Sequence, residues 1–140
     1  MFKEKDIEVR YAETDQMGVV YHANYIVWYE IGRTHFYESF GFDMQEDHEN
    51  GIVFPIRDIN VRYLSPVRFG EKIKVRTKIH EFKKASTIYY QEIVSLTGEL
   101  KSTCYATVTT VNKDTFKVLR LSEIKPKVYE IYLKTYNEQK

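Results

Sequence analysis

Cysteine is nearly absent from this chain, and long apolar runs are absent altogether. The single Cys104 cannot form a disulfide within the chain, which is typical of a protein from a reducing compartment. No segment reaches the about 18 consecutive apolar residues that a membrane-spanning helix requires. The N-terminal residues also lack the apolar core of a signal peptide. We therefore expect a soluble, cytoplasmic protein with no membrane span.

Net charge and the commonest catalytic motifs are missing as well. The formal net charge is only +1, so no overall electrostatic field attracts nucleic acid. The sequence contains no Gly-x-Ser-x-Gly motif around a serine nucleophile and no clustered spacing of metal ligands. We expect neither a nucleic-acid partner nor a metal or redox cofactor, and we interpret Cys104 as a small core residue.

The remaining composition is that of one folded domain. The chain has 140 residues, of which 43% are hydrophobic and 29% charged, and these values argue against disorder. Its prolines, glycines and serines do not cluster into a linker, so we expect a single domain over residues 1–140. Most of the 12 tyrosines and 8 phenylalanines are expected in the core and in interfaces.

Hydrophobic periodicity, together with the β-branched and Tyr-rich composition of residues 86–95 and 100–111, predicts one strand, one long helix, a series of strands and a terminal helix. The strands are expected at residues 3–11, 54–63, 72–79, 86–95 and 100–111, and the helices at residues 24–40 and 123–138. Consecutive strands joined by short turns form an antiparallel sheet, which needs a cover for its buried face. The predicted fold class is α+β: a five- to six-stranded antiparallel sheet wrapped around one long helix, with a C-terminal helix added.

One helix can bury only part of the surface of such a sheet. Gly32 lies in mid-helix on the apolar face, where it destabilises the helix by about 1 kcal/mol relative to Ala. We interpret it as a point of close approach between helix and sheet. Because the helix covers neither both faces nor the edges of the sheet, a homodimer or homotetramer is expected.

The segment before the long helix carries the most chemistry. Asp15 and His22 stand on either side of Gly18 in a loop expected at residues 13–23. A carboxylate beside a helix N-terminus suits hydrolysis, since the unpaired N–H groups and partial positive charge of the helix end favour a developing oxyanion. Asp is also an ordinary turn residue, so the spacing alone leaves a structural role open.

Several short pieces of the sequence match the signature of a known family. They are Arg10-Tyr11, Thr14-Asp15, Gly18-Val19-Val20-Tyr21-His22-Ala23-Asn24-Tyr25, Tyr29-Glu30, Arg33-Thr34 and residues 59–67. With them, the chain resembles the hotdog-fold acyl-CoA thioesterases of the 4-hydroxybenzoyl-CoA thioesterase family, in particular the short-chain branch associated with the Tol–Pal system. The likeness covers about residues 3–120. It implies a hotdog fold, an acyl-CoA substrate and active sites at a homodimer interface.

The resemblance also implies roles for single residues. Asp15 would be the catalytic carboxylate, either as nucleophile or as the base that activates water. Gly18 and Val19 would shape the loop beside the oxyanion site, and Gly18 permits the backbone geometry that returns the loop to the helix. His22 would act through its backbone N–H, through its side chain, or both. Asn24 is expected to cap the helix through its side chain.

The phosphates of CoA require cations, and the sequence offers several. The candidate CoA-binding residues are Arg62, Lys83, Lys84 and Ser86. Lys83 and Lys84 occupy a loop before a strand, where the family contacts the nucleotide. The alternating basic residues of strand 72–79 are interpreted as a solvated face. Glu30 and Arg33 are interpreted as a surface ion pair one helical turn apart.

Other functions are weighed against hydrolysis of acyl-CoA. An acyl-acyl-carrier-protein thioesterase would use the same site, and a non-catalytic hotdog module would bind acyl-CoA without turnover. Hotdog enzymes that hydrate or dehydrate enoyl thioesters use an Asp–His pair four residues apart. Asp15 and His22 are seven apart, which argues against that reaction.

Overall fold

A long helix, α1, packs across one face of a five-stranded antiparallel sheet, and a second helix of three turns lies near the end of the chain. This computed structural model describes residues 1–139. The elements are β1 (Lys3–Glu8), α1 (His22–Glu38), α2 (Met44–Glu49), β2 (Ile52–Val53), β3 (Ile56–Tyr63), β4 (Lys72–Phe82), β5 (Ser86–Ser95), β6 (Leu100–Thr109), β7 (Val111–Asn112), α3 (Leu121–Ile124) and α4 (Pro126–Glu138). Within the described range, no helix combines the length and the apolarity needed to cross a bilayer.

The sheet follows the order β1-β4-β5-β6-β3, with every pair antiparallel. Alternation along β4 was predicted correctly, because Ile73, Val75, Thr77 and Ile79 are all buried towards α1. The basic residues between them point to the other face, where Arg76 pairs with Glu4 and Glu92. The predicted α+β class is confirmed, and a small sheet of β2 and β7 accompanies the main one.

The helix approaches the sheet most closely at Gly32, as the sequence predicted. A Cβ atom at this position would lie 2.5 Å from Val75 Cγ1 and 2.9 Å from Gln91 Nε2, distances that real side chains do not tolerate. Gln91 is fully buried here and donates to the Tyr29 carbonyl and to Thr77 Oγ1, both at 2.9 Å. A polar bridge therefore joins helix to sheet at the contact that only glycine permits.

Two hydrophobic clusters lie on either side of this contact. The first surrounds the N-terminal half of α1, where Trp28 and Tyr29 pack against β4, β5 and β6. The second surrounds the C-terminal half, where Phe36 and Tyr37 meet Tyr132 of α4. Helix α4 thus covers the part of the sheet that α1 leaves open.

The predicted boundaries were wrong in four places. β1 ends at Glu8, and Tyr11 lies in a single 3₁₀ turn with 76% of its surface exposed, so it does not face the core. Helix α1 runs from 22 to 38 instead of 24 to 40. Helix α2 and the β2–β7 pair were not predicted. The C-terminal helix is divided at Lys125, because Pro126 cannot donate a backbone hydrogen bond to continue α3.

Candidate active site

Asp15 opens a tight turn that its own side chain helps to hold. Its backbone N–H donates to the Val19 carbonyl at 2.8 Å, and its carbonyl accepts from the Gly18 N–H at 3.1 Å. Gly18 has a φ of +78°, the left-handed conformation that the sequence led us to expect. Asp15 Oδ1 accepts from the Met17 N–H at 2.8 Å. The other carboxylate oxygen, Oδ2, has no partner within residues 1–139 and remains available to a substrate or water.

The turn is attached to the body of the protein on its far side. The Val20 N–H donates to the Val67 carbonyl at 2.7 Å, and Val19 bridges to Arg68. Val20 and Val67 are both buried in the first cluster. The second motif that matched the family, residues 59–67, therefore ends against the first one.

Glu13 fixes the other side of the loop, a role that the sequence analysis missed. Its buried carboxylate accepts from the Arg10 N–H at 2.7 Å and from Trp28 Nε1 at 2.9 Å. Its backbone carbonyl accepts from the Tyr21 N–H and from Asn24 Nδ2, both at 2.9 Å. A signal was present, because a tryptophan on the buried face of a helix needs an acceptor for its N–H.

These hydrogen bonds decide the charge state of Glu13. Burial acts to raise the pKa of the carboxyl group, but the N–H donors of Arg10 and Trp28 outweigh it and leave the pKa below its ordinary value. Glu13 is therefore ionised at neutral pH.

Helix α1 begins at His22, with Tyr21 as the residue before it and no side-chain cap. The prediction that Asn24 caps the helix was wrong, because its side chain donates to the Glu13 carbonyl instead. The N–H groups of His22 and Ala23 are too early in the helix for an intrahelical acceptor, and nothing else within residues 1–139 accepts from them. The helix therefore presents two free donors where its partial positive charge is greatest.

The His22 side chain is exposed beside two tyrosines. Its ring centroid lies 4.4 Å from that of Tyr21 and 6.0 Å from that of Tyr63. The Tyr63 hydroxyl donates to the His22 carbonyl at 3.0 Å, so β3 contacts the helix start. No hydrogen bond joins the side chains of Asp15 and His22 in the described structure. The two candidates share one loop–helix junction without touching.

The predicted CoA-binding residues are not gathered at this junction within one chain. Lys83 and Lys84 are exposed in the turn between β4 and β5, which Ser86 follows as the first residue of β5. That turn is level with Thr109 of β6, whereas the His22 end is level with Ser102, roughly 23 Å away at the usual rise along a strand. Arg62 lies at the nearer end but on the outer face, beside Asn60 and Tyr105.

Two further interpretations had different outcomes. Cys104 is fully buried, and burial raises the pKa of its thiol to about 12, as befits a core residue. The predicted surface pair of Glu30 and Arg33 was wrong. Arg33 is only 6% exposed and donates to Gln91 Oε1 at 3.1 Å, while Glu30 stays on the surface. Within residues 1–139, no three His, Cys, Asp or Glu side chains come together as a metal site would require.

The Asp15 turn leads directly into the N-terminus of a helix around which the sheet is wrapped, and this arrangement agrees with the family that the sequence motifs indicated. The chain belongs to the thioesterase-like superfamily, whose sequence model matches residues 9–131. The resemblance to this family that the motifs indicated is thereby confirmed.

Individual relatives support the same assignment. YneP of Bacillus subtilis, provisionally named an acyl-CoA thioesterase, is 40% identical over 130 residues, which are 93% of this chain and 94% of that protein. The acyl-CoA thioester hydrolase YbgC of Escherichia coli O6:H1 is 32% identical over 67% of this chain and 70% of its own. The solved structure of a DHNA-CoA thioesterase from Staphylococcus aureus is 35% identical, with a TM-score of 0.92 over 99% of this chain and 95% of that one.

Proposed function

We propose that this protein is an acyl-CoA thioesterase, which hydrolyses an acyl-CoA to the free carboxylic acid and CoA. Two observations carry the proposal: Oδ2 of Asp15 is free in the loop that leads into α1, and the first N–H groups of α1 are unpaired. The names of the relatives in B. subtilis, E. coli and S. aureus support a thioester substrate.

Hydrolysis requires hydrogen-bond donors at the thioester oxygen and a negatively charged group at the attacking side, and the loop–helix junction contains both. The thioester oxygen gains negative charge as the carbonyl carbon becomes tetrahedral, and the N–H groups of His22 and Ala23 are donors of the kind that stabilise it. Asp15 supplies the negative charge that the other reactant needs. As a base, Asp15 removes a proton from the water that attacks the carbonyl carbon. As a nucleophile, it attacks that carbon itself, the CoA thiolate leaves, and water then hydrolyses the mixed anhydride. Both routes end with a carboxylic acid and a free CoA thiol.

The proposed assembly is a homodimer paired through β3. One edge of β3 bonds to β6, and no strand within residues 1–139 covers the other edge. The outer side of α1 adds exposed apolar side chains, including Val27 and Ile31. A single surface that combines a bare strand edge with apolar side chains is suited to a second copy.

Antiparallel pairing of β3 would also relocate the distant lysines. The strand directions are reversed, so the Ile56 end of one copy lies beside the Tyr63 end of the other. Lys83 and Lys84 are at the Ile56 end of their own sheet. In the dimer, they would therefore lie closer to the second copy's Asp15 than to their own, which supports a site built from two chains.

Turnover of a panel of acyl-CoAs tests the function. A thiol-reactive dye reports the CoA released, and we expect steady-state hydrolysis of at least one ester. The same acyl groups on acyl carrier protein provide the comparison for that alternative substrate. Saturable binding of acyl-CoA without release of thiol would contradict the proposal and favour the non-catalytic module.

Light scattering and charge reversal test the shared site. We expect a dimer or a dimer of dimers, and a fully active monomer would refute the idea. The double variant K83E/K84E is expected to raise KM for CoA esters and to reduce its salt dependence, because the variant no longer attracts the CoA phosphates. Short pantetheine thioesters lack the nucleotide and serve as the control. An equal loss with both kinds of ester would show that these lysines do not bind the phosphates.

A further inference from the structure

A second feature of the fold is a cavity of about 450 Å³ behind the C-terminal half of α1. Its walls are mostly aromatic and aliphatic, with side chains from α1, α2, β2, β5, β6 and α4. They include Tyr37, Phe54, Tyr89, Val108 and Tyr132. The volume lies within the range of small-molecule sites in proteins.

One wall of this apolar cavity carries a buried positive charge. Arg33 is 6% exposed, and its only side-chain partner within residues 1–139 is the neutral amide oxygen of Gln91. No described carboxylate lies within 4.0 Å of the guanidinium, although the protein pairs Lys101 and Lys125 with acids. A buried charge without a counter-ion is destabilising by several kcal/mol, and an arginine cannot avoid it by losing its proton.

The unused donors of Arg33 open into the cavity. A guanidinium has five N–H bonds, and Arg33 uses one nitrogen to contact Gln91. Among residues 1–139, no fully buried side-chain nitrogen or oxygen lacks a hydrogen-bond partner, so the other nitrogens of Arg33 must retain contact with open space. The cavity is the space that this side chain lines.

The hydroxyl groups of the three tyrosines around the cavity are already engaged. The hydroxyls of Tyr89 and Tyr132 bond to each other at 2.8 Å. The Tyr37 hydroxyl donates to the buried Asp47 carboxylate, which also binds Lys125. Arg33 is therefore the one buried charged group in the described wall with donors left unpaired, since the other acidic or basic side chains that line the cavity, Glu30 and His48, are exposed.

A single stripe of α1 connects this wall with the proposed active site. His22, Ile26, Glu30 and Arg33 follow one another at spacings of four, four and three residues, which places them on one face of the helix. The distance from His22 to Arg33 along the axis is about 16 Å. Ile26 is 40% exposed between them and offers an apolar surface to a chain that runs along the stripe.

We propose that the cavity receives the far end of the acyl group and that Arg33 selects an acyl group ending in a carboxylate, that is, the CoA half-thioester of a dicarboxylic acid. This proposal rests on the proposed function. A carboxylate matches the planar guanidinium in two parallel hydrogen bonds and carries one charge to balance one charge. A phosphate would bring a second negative charge, whereas Arg33 is the only buried cation among the described lining residues and His48 is exposed.

Matched pairs of substrates test the selection. Adipyl-CoA is compared with hexanoyl-CoA, and sebacyl-CoA with decanoyl-CoA, so each pair differs only in the terminal group. We expect kcat/KM to favour the carboxylated member of at least one pair by about tenfold or more, equivalent to about 1.4 kcal/mol. In Arg33→Met, whose side chain is apolar and of similar length, this preference should disappear while hydrolysis of the methyl-ended ester persists.

Two further variants control the result. Glu30→Gln removes the acid at the rim and should increase the preference for the carboxylated ester, since that acid repels it. Arg33→Lys keeps the charge without the planar pair of donors, and it should retain part of the preference. It also replaces Arg33→Met in the comparison if the apolar variant does not fold.

The outcomes separate this proposal from the proposed function. A wild-type enzyme that favours the methyl-ended esters, or an Arg33→Met variant that loses both members of a pair equally, would overturn the role of Arg33 and leave the thioesterase intact. If no ester is hydrolysed, the thioesterase proposal fails. The selection of a terminal carboxylate by Arg33 is then measured by calorimetry with non-hydrolysable thioethers of CoA. Equal Kd values for carboxylated and methyl-ended thioethers would overturn the role of Arg33 as well.

Discussion

The two ends of α1 differ in how they are built. At the N-terminal end, the site is made by residues that are close together in sequence, and its main features belong to the backbone. They are the turn at Asp15, the left-handed Gly18 and the free N–H groups of His22 and Ala23. At the C-terminal end, side chains from many elements enclose a cavity, and the buried charge of Arg33 stands among aromatic rings.

The difference reflects what each end has to do. Attack on a carbonyl requires access for water and substrate, so the first end stays open and takes its geometry from a short, well-anchored loop. Selection of a ligand requires enclosure, because a charge acts strongly only where water is excluded. One helix supplies both environments, and Gly32 marks the middle, where the helix is pressed against the sheet.

Asp15→Asn should have the largest effect, and it should change only the chemistry at the N-terminal end of α1. The amide oxygen can still accept from the Met17 N–H, so the turn and the stability should persist. General-base or nucleophilic action is lost, and kcat should fall by about 10² to 10⁴. Asp114→Asn, in the exposed turn after β7, is the matched control and should leave kcat unchanged. A folded Asp15→Asn protein with near-normal kcat would remove Asp15 from the mechanism.

Gly32→Ala should do the opposite, changing stability far more than chemistry. Alanine favours a helix by about 1 kcal/mol over glycine. Its Cβ would nevertheless collide with Val75 and Gln91, and overpacking of this kind costs about 1 to 3 kcal/mol or more. We expect a net loss in urea unfolding. Val75→Ala makes room, so the double variant should lose less than the sum of the single changes. A stabilised Gly32→Ala protein would show that the contact is not tight.

Glu13→Gln should loosen the open end in a pH-dependent way. The folded pKa of Glu13 is lowered because hydrogen bonds from Arg10 and Trp28 outweigh its burial. Its contribution is therefore present above the unfolded pKa of about 4.3 and is lost as the pH falls through the folded pKa. At pH 7, the variant should be less stable by about 2 kcal/mol.

That difference should shrink in acid, which separates a charge effect from a packing effect. Urea unfolding of the wild type and of Glu13→Gln at neutral pH and near pH 3 measures it. Glu138→Gln, on the exposed side of α4, should show no such dependence. A gap between wild type and Glu13→Gln that stays constant with pH would argue that the Glu13 carboxylate is not stabilised in its charged form.

His22→Ala should have the smallest effect of the four. The backbone N–H at the helix start survives the change, so only the contribution of the ring is lost. We expect kcat to fall by about tenfold, with a smaller change in KM. His80→Ala, on the outer face beside Tyr105, is the control. An unchanged kcat across several acyl-CoAs would leave the His22 side chain with a structural role only.

The sequence predicted what depends on short spacings. Alternation located β4, a high content of β-branched residues and Tyr located β5, and the apolar face of α1 located the contact at Gly32. The loop around Asp15 was found because its residues are consecutive and of distinctive type. The helix start was misplaced by two residues because the carbonyl of Glu13, and not a side-chain cap, organises it.

What the sequence did not predict depends on tertiary contacts. Helix α2 has only six residues and no apolar period of its own, and Asp43 and the buried Asp47 hold it in place. We predicted Arg33 on the surface because most arginines are exposed in folded proteins. It is buried instead in the wall of the cavity. A cavity has no signature in the chain, since its walls come from segments that are far apart in sequence.

The hydrogen bond from Tyr63 to the His22 carbonyl has a consequence for how activity responds to dilution. Tyr63 is the last residue of β3, the strand whose free edge is proposed to pair between copies. Dimerisation and ordering of the helix start are then linked equilibria. A second copy that pairs with β3 fixes Tyr63, and Tyr63 in turn fixes the His22 carbonyl through their hydrogen bond. The specific activity of the enzyme would then rise with its own concentration, so that the protein acts as an effector of itself.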